Sequence, residues 1–476
     1  MNDAQPSHPA QTIGFFLGPV AFFAVGFALP IEGLTPEAQR VAGLALWMAI
    51  WWASEAVPIA ATSLLPLVAL PLIGAGTERQ AAAPYANPIV LLLLGGSILA
   101  VGIERWRLHA RIALNALALS GDRPRLIVLG FMAVTAFISM WISNTATALM
   151  MMPIALSVAA TAGPERKDFA QAMVLGIAYA ASIGGIATPI GTPTNLIAMS
   201  WLKEQTGQTV SFGDWMALGV PAMLVLVPLA WLVVAWGLKS GGRAAGAAAE
   251  ILRERDALGP MRAPEARVLA VFGVVIALWV SGEWMRQDLG LKGVTDMSIV
   301  IGGAIAMMIL PAGGGARRPL ITWSEAQKIP WSVILLFGGG ISLAEAMERT
   351  KLAAAIGDAL GVLAGAPPLV VVATVTALVI LLTEFMSNVA TITMLLPVLA
   401  ALAVALGVPP VVLIAPAAIA ASCGFMMPAG TGPNAVAYAS GKTSVAAMMG
   451  RGLLVNLAAL IVLSAVGLWI APIVLR

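Results

Sequence analysis

The sequence has little charge and few of the side chains that catalyse reactions or bind metal clusters. Charged residues make up 10% of its 476 positions, there is one cysteine, Cys423, and the two histidines, His8 and His109, are far apart. A single cysteine excludes an internal disulfide, and two separated histidines form no metal cluster. An enzyme, which would need a nucleophile with its base or a bound metal, is therefore disfavoured.

Hydrophobic residues make up 60% of the chain. Apolar runs recur from end to end, and a run of about 20 residues is long enough for a helix to cross a bilayer. The sequence therefore predicts an all-α polytopic membrane protein. The first run is interpreted as a retained helix because it ends without a small-residue cleavage site. Eleven spans are predicted, at 12–31, 38–56, 58–76, 87–104, 168–202, 215–238, 266–284, 294–312, 331–347, 410–441 and 450–473.

Two further apolar stretches, 125–162 and 366–408, are each too long for one helix and contain Ser-Asn near the middle. They are predicted to be re-entrant helical hairpins, since irregular backbone is tolerated at membrane depth only where protein or a wet cavity surrounds it. With a cytoplasmic N-terminus and hairpins that return to their own side, 18 of the 26 Lys and Arg residues lie in cytoplasmic loops. This bias sets the predicted orientation in the inner cell membrane, and it explains the basic residues without a nucleic-acid partner.

The chain contains an internal repeat. SNTATALMMMP at 143–153 matches SNVATITMLLP at 387–397, and SIGGIATPIGTPTN at 182–195 matches ASCGFMMPAGTGPN at 421–434. In the predicted topology the copies have opposite orientation, and such inverted repeats with interrupted helices place a binding site at the midplane. The predicted units are a leader with the first helix (1–37), a first repeat (38–240) with a broken helix at 168–202, a cytoplasmic linker (241–265), and a second repeat (266–476) with a broken helix at 410–441.

These motifs, with TEF before the second Ser-Asn and SEAVP after the second span, resemble the divalent anion/sodium symporter family. The resemblance implies Na⁺-coupled or exchange transport of C4 dicarboxylates, tricarboxylates or sulfate. It implies Na⁺ as the coupling ion without an organic cofactor. It also implies a homodimer in which each hairpin-bearing domain moves as an elevator against a fixed scaffold in the lipid bilayer.

The resemblance also assigns site residues. The first sodium site would consist of Ser139, Ser143, Asn144 and the carbonyl of Gly191. The second would consist of Thr383, Ser387, Asn388 and the carbonyl of Gly430. The substrate would meet Ser143, Asn144, Thr145, Thr192, Ser387, Asn388, Val389 and Thr431. The chain departs from the family pattern at Val389, where a threonine is expected, and at Gly432, where a proline is common. Val389 has no donor for a carboxylate.

The distribution of charged residues bears on the mechanism without reference to the family. No Lys or Arg occurs at 126–165, 168–202 or 352–441, so the predicted site has no fixed cation. A bound dianion would be balanced by helix N-termini and by co-bound cations, which favours cotransport. Glu384 is the only acid between 359 and 441, and both a structural and a coupling role stay open for it.

Rival interpretations remain at this level. A Na⁺-independent dicarboxylate exchanger would keep the same Ser-Asn motifs, and a sulfate or tricarboxylate carrier would share the family pattern. A channel is disfavoured by the broken repeats. The sequence does not distinguish the anion, symport from exchange, the ion stoichiometry or the direction of transport.

Overall fold

The computed structural model describes residues 9–163, 165–207, 209–238, 246–291, 293–313, 316–360 and 367–475. Residues 1–8 of the predicted leader, 241–245 of the predicted linker and position 366 of the second predicted hairpin lie outside these ranges. So do His8 and two of the basic residues counted as cytoplasmic, Lys239 and Arg243.

The described chain is almost entirely helical. Its first half contains α1 (Pro9–Phe23, continued by a π-helical turn to Ala28), α2 (Pro36–Ser54), α3 (Ile59–Thr62), α4 (Leu65–Leu72), α5 (Glu78–Ala82, followed by a 3-10 turn to Ala86), α6 (Pro88–Arg105), α7 (Leu108–Leu117), α8 (Pro124–Ser139), α9 (Asn144–Thr161), α10 (Lys167–Gly185), α11 (Pro193–Thr206) and α12 (Phe212–Ala235). Helix α13 (Ala247–Ala257) lies between the halves.

The second half begins with α14 (Ala263–Val280), α15 (Gly282–Gln287) and α16 (Asp296–Ile309). A short antiparallel pair of strands follows, β1 (Pro311–Gly313) and β2 (Ala316–Pro319). The remaining helices are α17 (Trp323–Ala326), α18 (Trp331–Arg349), α19 (Leu352–Leu360), α20 (Pro368–Thr383), α21 (Asn388–Ala405), α22 (Val411–Ala420), α23 (Gly432–Ala439), α24 (Val445–Ala465, continued by a π-helical turn to Ile470) and α25 (Ala471–Val474).

Many of these helices begin where the sequence carries a start signal. Proline occupies the first helical turn of α2, α6, α8, α11 and α20, where its missing N–H costs no hydrogen bond. Thr77, Ser211 and Thr295 form capping boxes with the residues three positions later. Among the described residues, eight helices are long and apolar enough to cross a membrane, so the polytopic membrane class predicted from composition is confirmed.

Each of the two long apolar stretches folds as a pair of helices. The first hairpin consists of α8 and α9, joined by the first tip, residues 140–143; the second hairpin consists of α20 and α21, joined by the second tip, residues 384–387. In both, the helix after the tip begins at the asparagine of the Ser-Asn motif. The polar residues thus interrupt the helices where the sequence analysis predicts.

The two predicted broken helices are also interrupted. Helices α10 and α11 are separated by the first break, residues 186–192, and helices α22 and α23 by the second break, residues 421–431. The helices cross between halves: α11 packs on α21 and α22 of the second half, and α23 packs on α9 and α10 of the first. This crossing brings both tips and both breaks together.

A second apolar cluster lies apart from the main core. It includes Trp52 of α2, Leu70 of α4 and Leu336 of α18, and the second hairpin contributes Ala390 to it. In the described part of the predicted linker, residues 246–265, helix α13 packs on α7 and α9. Many large apolar side chains face outward, Leu72 and Ile461 at 79% and 72% exposure, as lipid-facing helices require.

Candidate functional site

The first tip and the first break enclose a cluster of oxygen atoms. Ser139 Oγ lies 2.9 Å from Asn144 Oδ1 and donates to Ala181 O at 2.6 Å. The inward-facing atom of the Asn144 amide is also 3.2 Å from Ala181 O and 3.3 Å from Gly191 O. With nitrogen inward the amide is satisfied and donates to its neighbours. Turned by 180°, it presents oxygen, and four oxygens then face one another with a single hydroxyl proton between them. Oxygen-only clusters of this kind suit hard cations such as Na⁺.

The second tip and the second break repeat this geometry. Thr383 Oγ1 lies 2.9 Å from Asn388 Oδ1 and donates to Ala421 O at 2.6 Å. The inward-facing amide atom of Asn388 is 3.2 Å from Ala421 O and 3.0 Å from Gly430 O. Corresponding distances in the two clusters differ by at most 0.3 Å. The oxygen ligands of both clusters therefore fit the same cation.

Small residues permit the close approach of tip and break in the first cluster. A β-carbon on Gly185 would lie 2.2 Å from Asn144 Oδ1, and one on Gly191 would lie 2.5 Å from Gly185 O. Any larger side chain at either position would force the oxygens apart. In the second cluster the equivalent space is less tight, since a β-carbon on Gly424 would lie 3.2 Å from Thr383 O.

Two buried asparagines close the breaks, and the sequence analysis assigns them no role. Asn195 Nδ2 donates to Gly185 O at 3.1 Å, Ile186 O at 3.3 Å and Thr188 O at 2.8 Å. Asn434 Nδ2 donates to Gly424 O and Met427 O, both at 2.9 Å. They satisfy carbonyls that the interrupted helices leave without a partner. The signal was available, because both end the repeated GTPTN and GTGPN motifs.

One cavity of about 640 Å³ lies between the two tips and the two breaks, within the size range of small-molecule sites. Ser139 and Thr383 are buried behind it. Among the described residues, its lining contains no Lys, Arg or His. All eight residues assigned to the substrate line it, namely Ser143, Asn144, Thr145, Thr192, Ser387, Asn388, Val389 and Thr431.

The cavity has donors for an anion although it has no basic lining residue. Helices α9, α11, α21 and α23 all begin at its wall, and helix N-termini attract negative charge. Ser143 Oγ accepts from Ala146 N, and Thr431 Oγ1 accepts from Asn434 N, each at 3.3 Å. Each hydroxyl keeps its proton for donation.

Two features of the lining come from outside the tips and breaks. Gln11 of α1 and the segment 53–55 at the end of α2 form part of the wall. Glu55 is the C-cap of α2 with a left-handed backbone, φ 48°, which is uncommon for a residue other than glycine. The sequence analysis does not place either residue at the site, because neither lies in the repeated motifs.

The two departures from the family pattern have different surroundings. A β-carbon on Gly432 would lie 2.0 Å from Thr145 Oγ1, so the start of α9 rests directly on the start of α23 at this glycine. Val389 is partly buried and packs its methyl groups against the second apolar cluster while it lines the cavity. Gly432 is therefore explained by Thr145, and Val389 by its apolar neighbours.

The aromatic residues of the two tips also differ. Trp141 of the first tip is buried, with its ring centroid 5.2 Å from that of Phe272 and 6.4 Å from that of Phe212. Phe385 occupies the equivalent place in the second tip, is 67% exposed and lines the cavity. The otherwise matched halves are thus in different environments.

Comparison with solved structures shows the fold. The chain is similar to the Alcanivorax borkumensis YdaH transporter, with a TM-score of 0.60, 14% identity, and coverage of 97% of this chain and 98% of that one. It is similar to Neisseria gonorrhoeae MtrF, described as one of a class of antimetabolite efflux pumps, with a TM-score of 0.60, 13% identity, and coverage of 96% and 98%.

Comparison of sequences gives nearer relatives. The chain is 39% identical over 483 residues to the sodium-dependent dicarboxylate transporter SdcS of Staphylococcus saprophyticus, covering 98% of this chain and 92% of that protein. It is 40% identical over 489 residues to SdcS of Staphylococcus aureus, covering 99% and 93%. Residues 11–475 match the family described as the sodium:sulfate symporter transmembrane region. With nearly its whole length matched, the chain belongs to this family.

Proposed function

We propose that the chain is a secondary active transporter that carries C4 dicarboxylates, such as succinate, malate and fumarate, together with Na⁺ across the cytoplasmic membrane. The observation that carries the proposal is the pair of matched oxygen clusters beside one cavity, whose described lining has no basic side chain. The names of the Staphylococcus relatives support the substrate class. The family supports a transporter rather than an enzyme.

The physical reason for coupling is the cost of moving a dianion through a region of low dielectric constant. Two negative charges lose their hydration on entering the cavity, and helix N-termini, each equivalent to about half a charge, offset only part of that loss. One Na⁺ in each oxygen cluster would offset the two negative charges of the dianion. Substrate binding should therefore depend on Na⁺.

Each proposed residue has a chemical role. Hydroxyl, amide and carbonyl oxygens of the two clusters would hold the ions. The side-chain amides of Asn144 and Asn388 would each place oxygen toward an ion and nitrogen toward a substrate carboxylate, since an amide is both acceptor and donor. The proposed ion ligands are Ser139, Ser143, Asn144 and Gly191 for the first site, and Thr383, Ser387, Asn388 and Gly430 for the second.

We propose that the halves are inverted repeats and that both hairpins are re-entrant. Tips and breaks are tied together by the crossing of α11 and α23, which favours their movement as one body. Helix α2, which contributes cavity residues, is built into the second apolar cluster, which the second hairpin meets at Val389 and Ala390. This division supports an elevator in which that body moves against a scaffold, in a homodimer.

We further propose a cytoplasmic N-terminus in the inner membrane. In that orientation both Gln11, near the start of α1, and Glu55, after the end of α2, lie toward the cytoplasm. Because both line the cavity, the structure would correspond to the state that is open to the cytoplasm.

Uptake of radiolabelled succinate by the purified protein in liposomes tests the function. Saturable accumulation is expected with an inward Na⁺ gradient, and little with K⁺ or choline at the same ionic strength. Equal uptake in choline that requires a dicarboxylate on the opposite side would replace symport by exchange. Uptake of sulfate or citrate in place of succinate would change the substrate.

A further inference from the structure

Glu384 is a buried carboxylate beside the second oxygen cluster. It follows the cluster residue Thr383 in the chain and is 2% exposed. Its oxygens accept from Met426 N at 2.9 and 3.1 Å, from Met427 N at 2.9 Å and from Asn456 Nδ2 at 2.7 Å. The carboxylate thus connects the second hairpin with the second break and α24.

The surroundings of Glu384 fit the ionised carboxylate. All three groups that contact its oxygens are hydrogen-bond donors, and an ionised carboxylate accepts only, whereas a protonated one must also donate. Among the described residues, no Lys or Arg forms an ion pair with it. Arg451, on the same helix as Asn456, donates instead to Val234 O at 2.9 Å. A negative charge therefore lies inside the protein without a fixed positive partner.

The carboxylate is close to the second cluster but is not a ligand of it. A β-carbon on Gly430 would lie 3.0 Å from Glu384 Oε2, and the carbonyl of Gly430 is one of the cluster oxygens. Both carboxylate oxygens are already engaged by the donors of the break and of α24. Glu384 would consequently act on a bound ion through its charge, without coordinating it.

Among the described residues, the position equivalent to Glu384 beside the first cluster has no charge, and the two charged residues that line a neighbouring cavity with Ser143 and Gly191, namely Glu104 and Lys328, have opposite signs. The residue that corresponds to Glu384 in the first half is Met140, which is buried and whose carbonyl accepts from Thr188 Oγ1. The two clusters therefore have matched oxygen geometry and unequal electrostatics. Equal ligand distances with unequal nearby charge should give unequal affinity for a cation.

We infer that Glu384 is the fixed counter-charge of the second cation cluster, so that this cluster binds Na⁺ more tightly than the first and fills before it. The inference rests on the proposed sodium coupling. Before substrate binds, one Na⁺ would offset the charge of Glu384, and the second Na⁺ would be the one whose binding depends on the dianion. With both ions and the dianion bound, the site would keep the single negative charge of Glu384. Opposite unit charges several ångströms apart, at the effective dielectric of proteins, predict roughly a tenfold or larger difference between the two affinities.

Glu384→Gln tests the charge with little change of shape. The buried Asn456 Oδ1 has no hydrogen-bond partner in the described structure, so the Asn456 amide can turn and accept from the new glutamine N–H₂. Equilibrium binding of radiolabelled Na⁺ without substrate should show a tight and a weak phase in the parent protein. In E384Q we expect the tight phase to weaken at least tenfold and the weak phase to stay.

A second pair of variants keeps Glu384 and identifies the phases. Thr383→Val removes a hydroxyl of the second cluster and should remove the tight phase. Ser139→Ala removes the equivalent hydroxyl of the first cluster and should affect only the weak phase. The opposite assignment, or equal effects on both phases, would overturn the inference even if E384Q failed to fold.

Asn456→Ala is the matched control. It removes a hydrogen bond to Glu384 but leaves the charge, so the tight phase should persist. If Asn456→Ala weakens Na⁺ binding as much as E384Q does, Glu384 has only a structural role. Unchanged Na⁺ binding in E384Q would likewise show that its charge does not act on the ion. Succinate binding that remains Na⁺-dependent in that case would leave the proposed function intact, whereas Na⁺-independent succinate binding in the parent protein would refute both.

Discussion

Position 432 has no room for a side chain, because Gly432 lies directly against Thr145. We expect Gly432→Ala to impair transport without unfolding the protein. The new β-carbon would lie 2.0 Å from Thr145 Oγ1, 3.0 Å from Thr145 Cβ and 3.1 Å from Thr145 Cγ2. Rotation of the threonine relieves the first contact but leaves the β-carbon contact, so the start of α9 must move away from the start of α23.

The size of the effect follows from the overlap. Ordinary contact begins near 3.4 Å, so the hydroxyl must retreat by about 1.4 Å. Overpacking of this kind costs about 1–3 kcal/mol. If that cost is met when the loaded site closes, the apparent affinity for succinate should fall about 5- to 150-fold.

Proteoliposome uptake, with the apparent KM for succinate at saturating Na⁺, is the measurement. Gly450→Ala is the control, since a β-carbon there meets nothing within 4 Å. Adding Gly432→Ala to Thr145→Ala should cost little, because only a β-carbon contact of 3.0 Å then remains and a shift of a few tenths of an ångström relieves it. Normal uptake by Gly432→Ala, or a double variant much worse than Thr145→Ala alone, would refute the reasoning.

Three further predictions concern the site and its orientation. Asn144→Ala or Asn388→Ala should each abolish succinate uptake in protein that elutes normally on gel filtration, since unmet buried partners alone cost about 1–3 kcal/mol; near-normal uptake in both would remove the central assignment. Val389→Thr adds a donor worth about 1 kcal/mol and should change relative affinities for succinate, malate and fumarate roughly fivefold; identical affinities would mean that this side chain does not touch substrate. A cysteine at the exposed Ala249, with Cys423 replaced, should react with an impermeant maleimide only in inside-out vesicles; labelling of intact cells would contradict the proposed orientation.

The sequence predicts the helical membrane class and the interruptions because both depend on local signals. Apolar length identifies a span, and a Ser-Asn pair within an apolar run identifies an interruption whose helix begins at Asn144 or Asn388. The repeated motifs also place the substrate residues on common elements. The internal repeat predicts that these residues meet at one cavity, and this repeat is visible in a single sequence.

Other parts of the site leave no trace in side-chain chemistry. The carbonyls of Ala181 and Ala421 belong to the oxygen clusters, and an alanine within an apolar helix gives no indication that its carbonyl faces a polar site. The contact between Thr145 and Gly432 joins α9 and α23, which belong to different halves, so no local sequence pattern predicts it. Helix α13 of the linker packs against α9, and amino-acid composition does not predict this packing.

The exposed ring of Phe385 has a consequence for inhibitor design. A C4 dicarboxylate with a benzyl substituent could place its carboxylates between the tips and its ring against Phe385, and aromatic pairs contribute about 0.5–1.5 kcal/mol beyond the burial of area. The matching ring of the first tip, Trp141, is already covered by Phe272 and Phe212. Such a compound should therefore inhibit transport when it is added on the side to which this cavity opens and have little effect from the other side. Its inhibition would be specific to one face of the membrane.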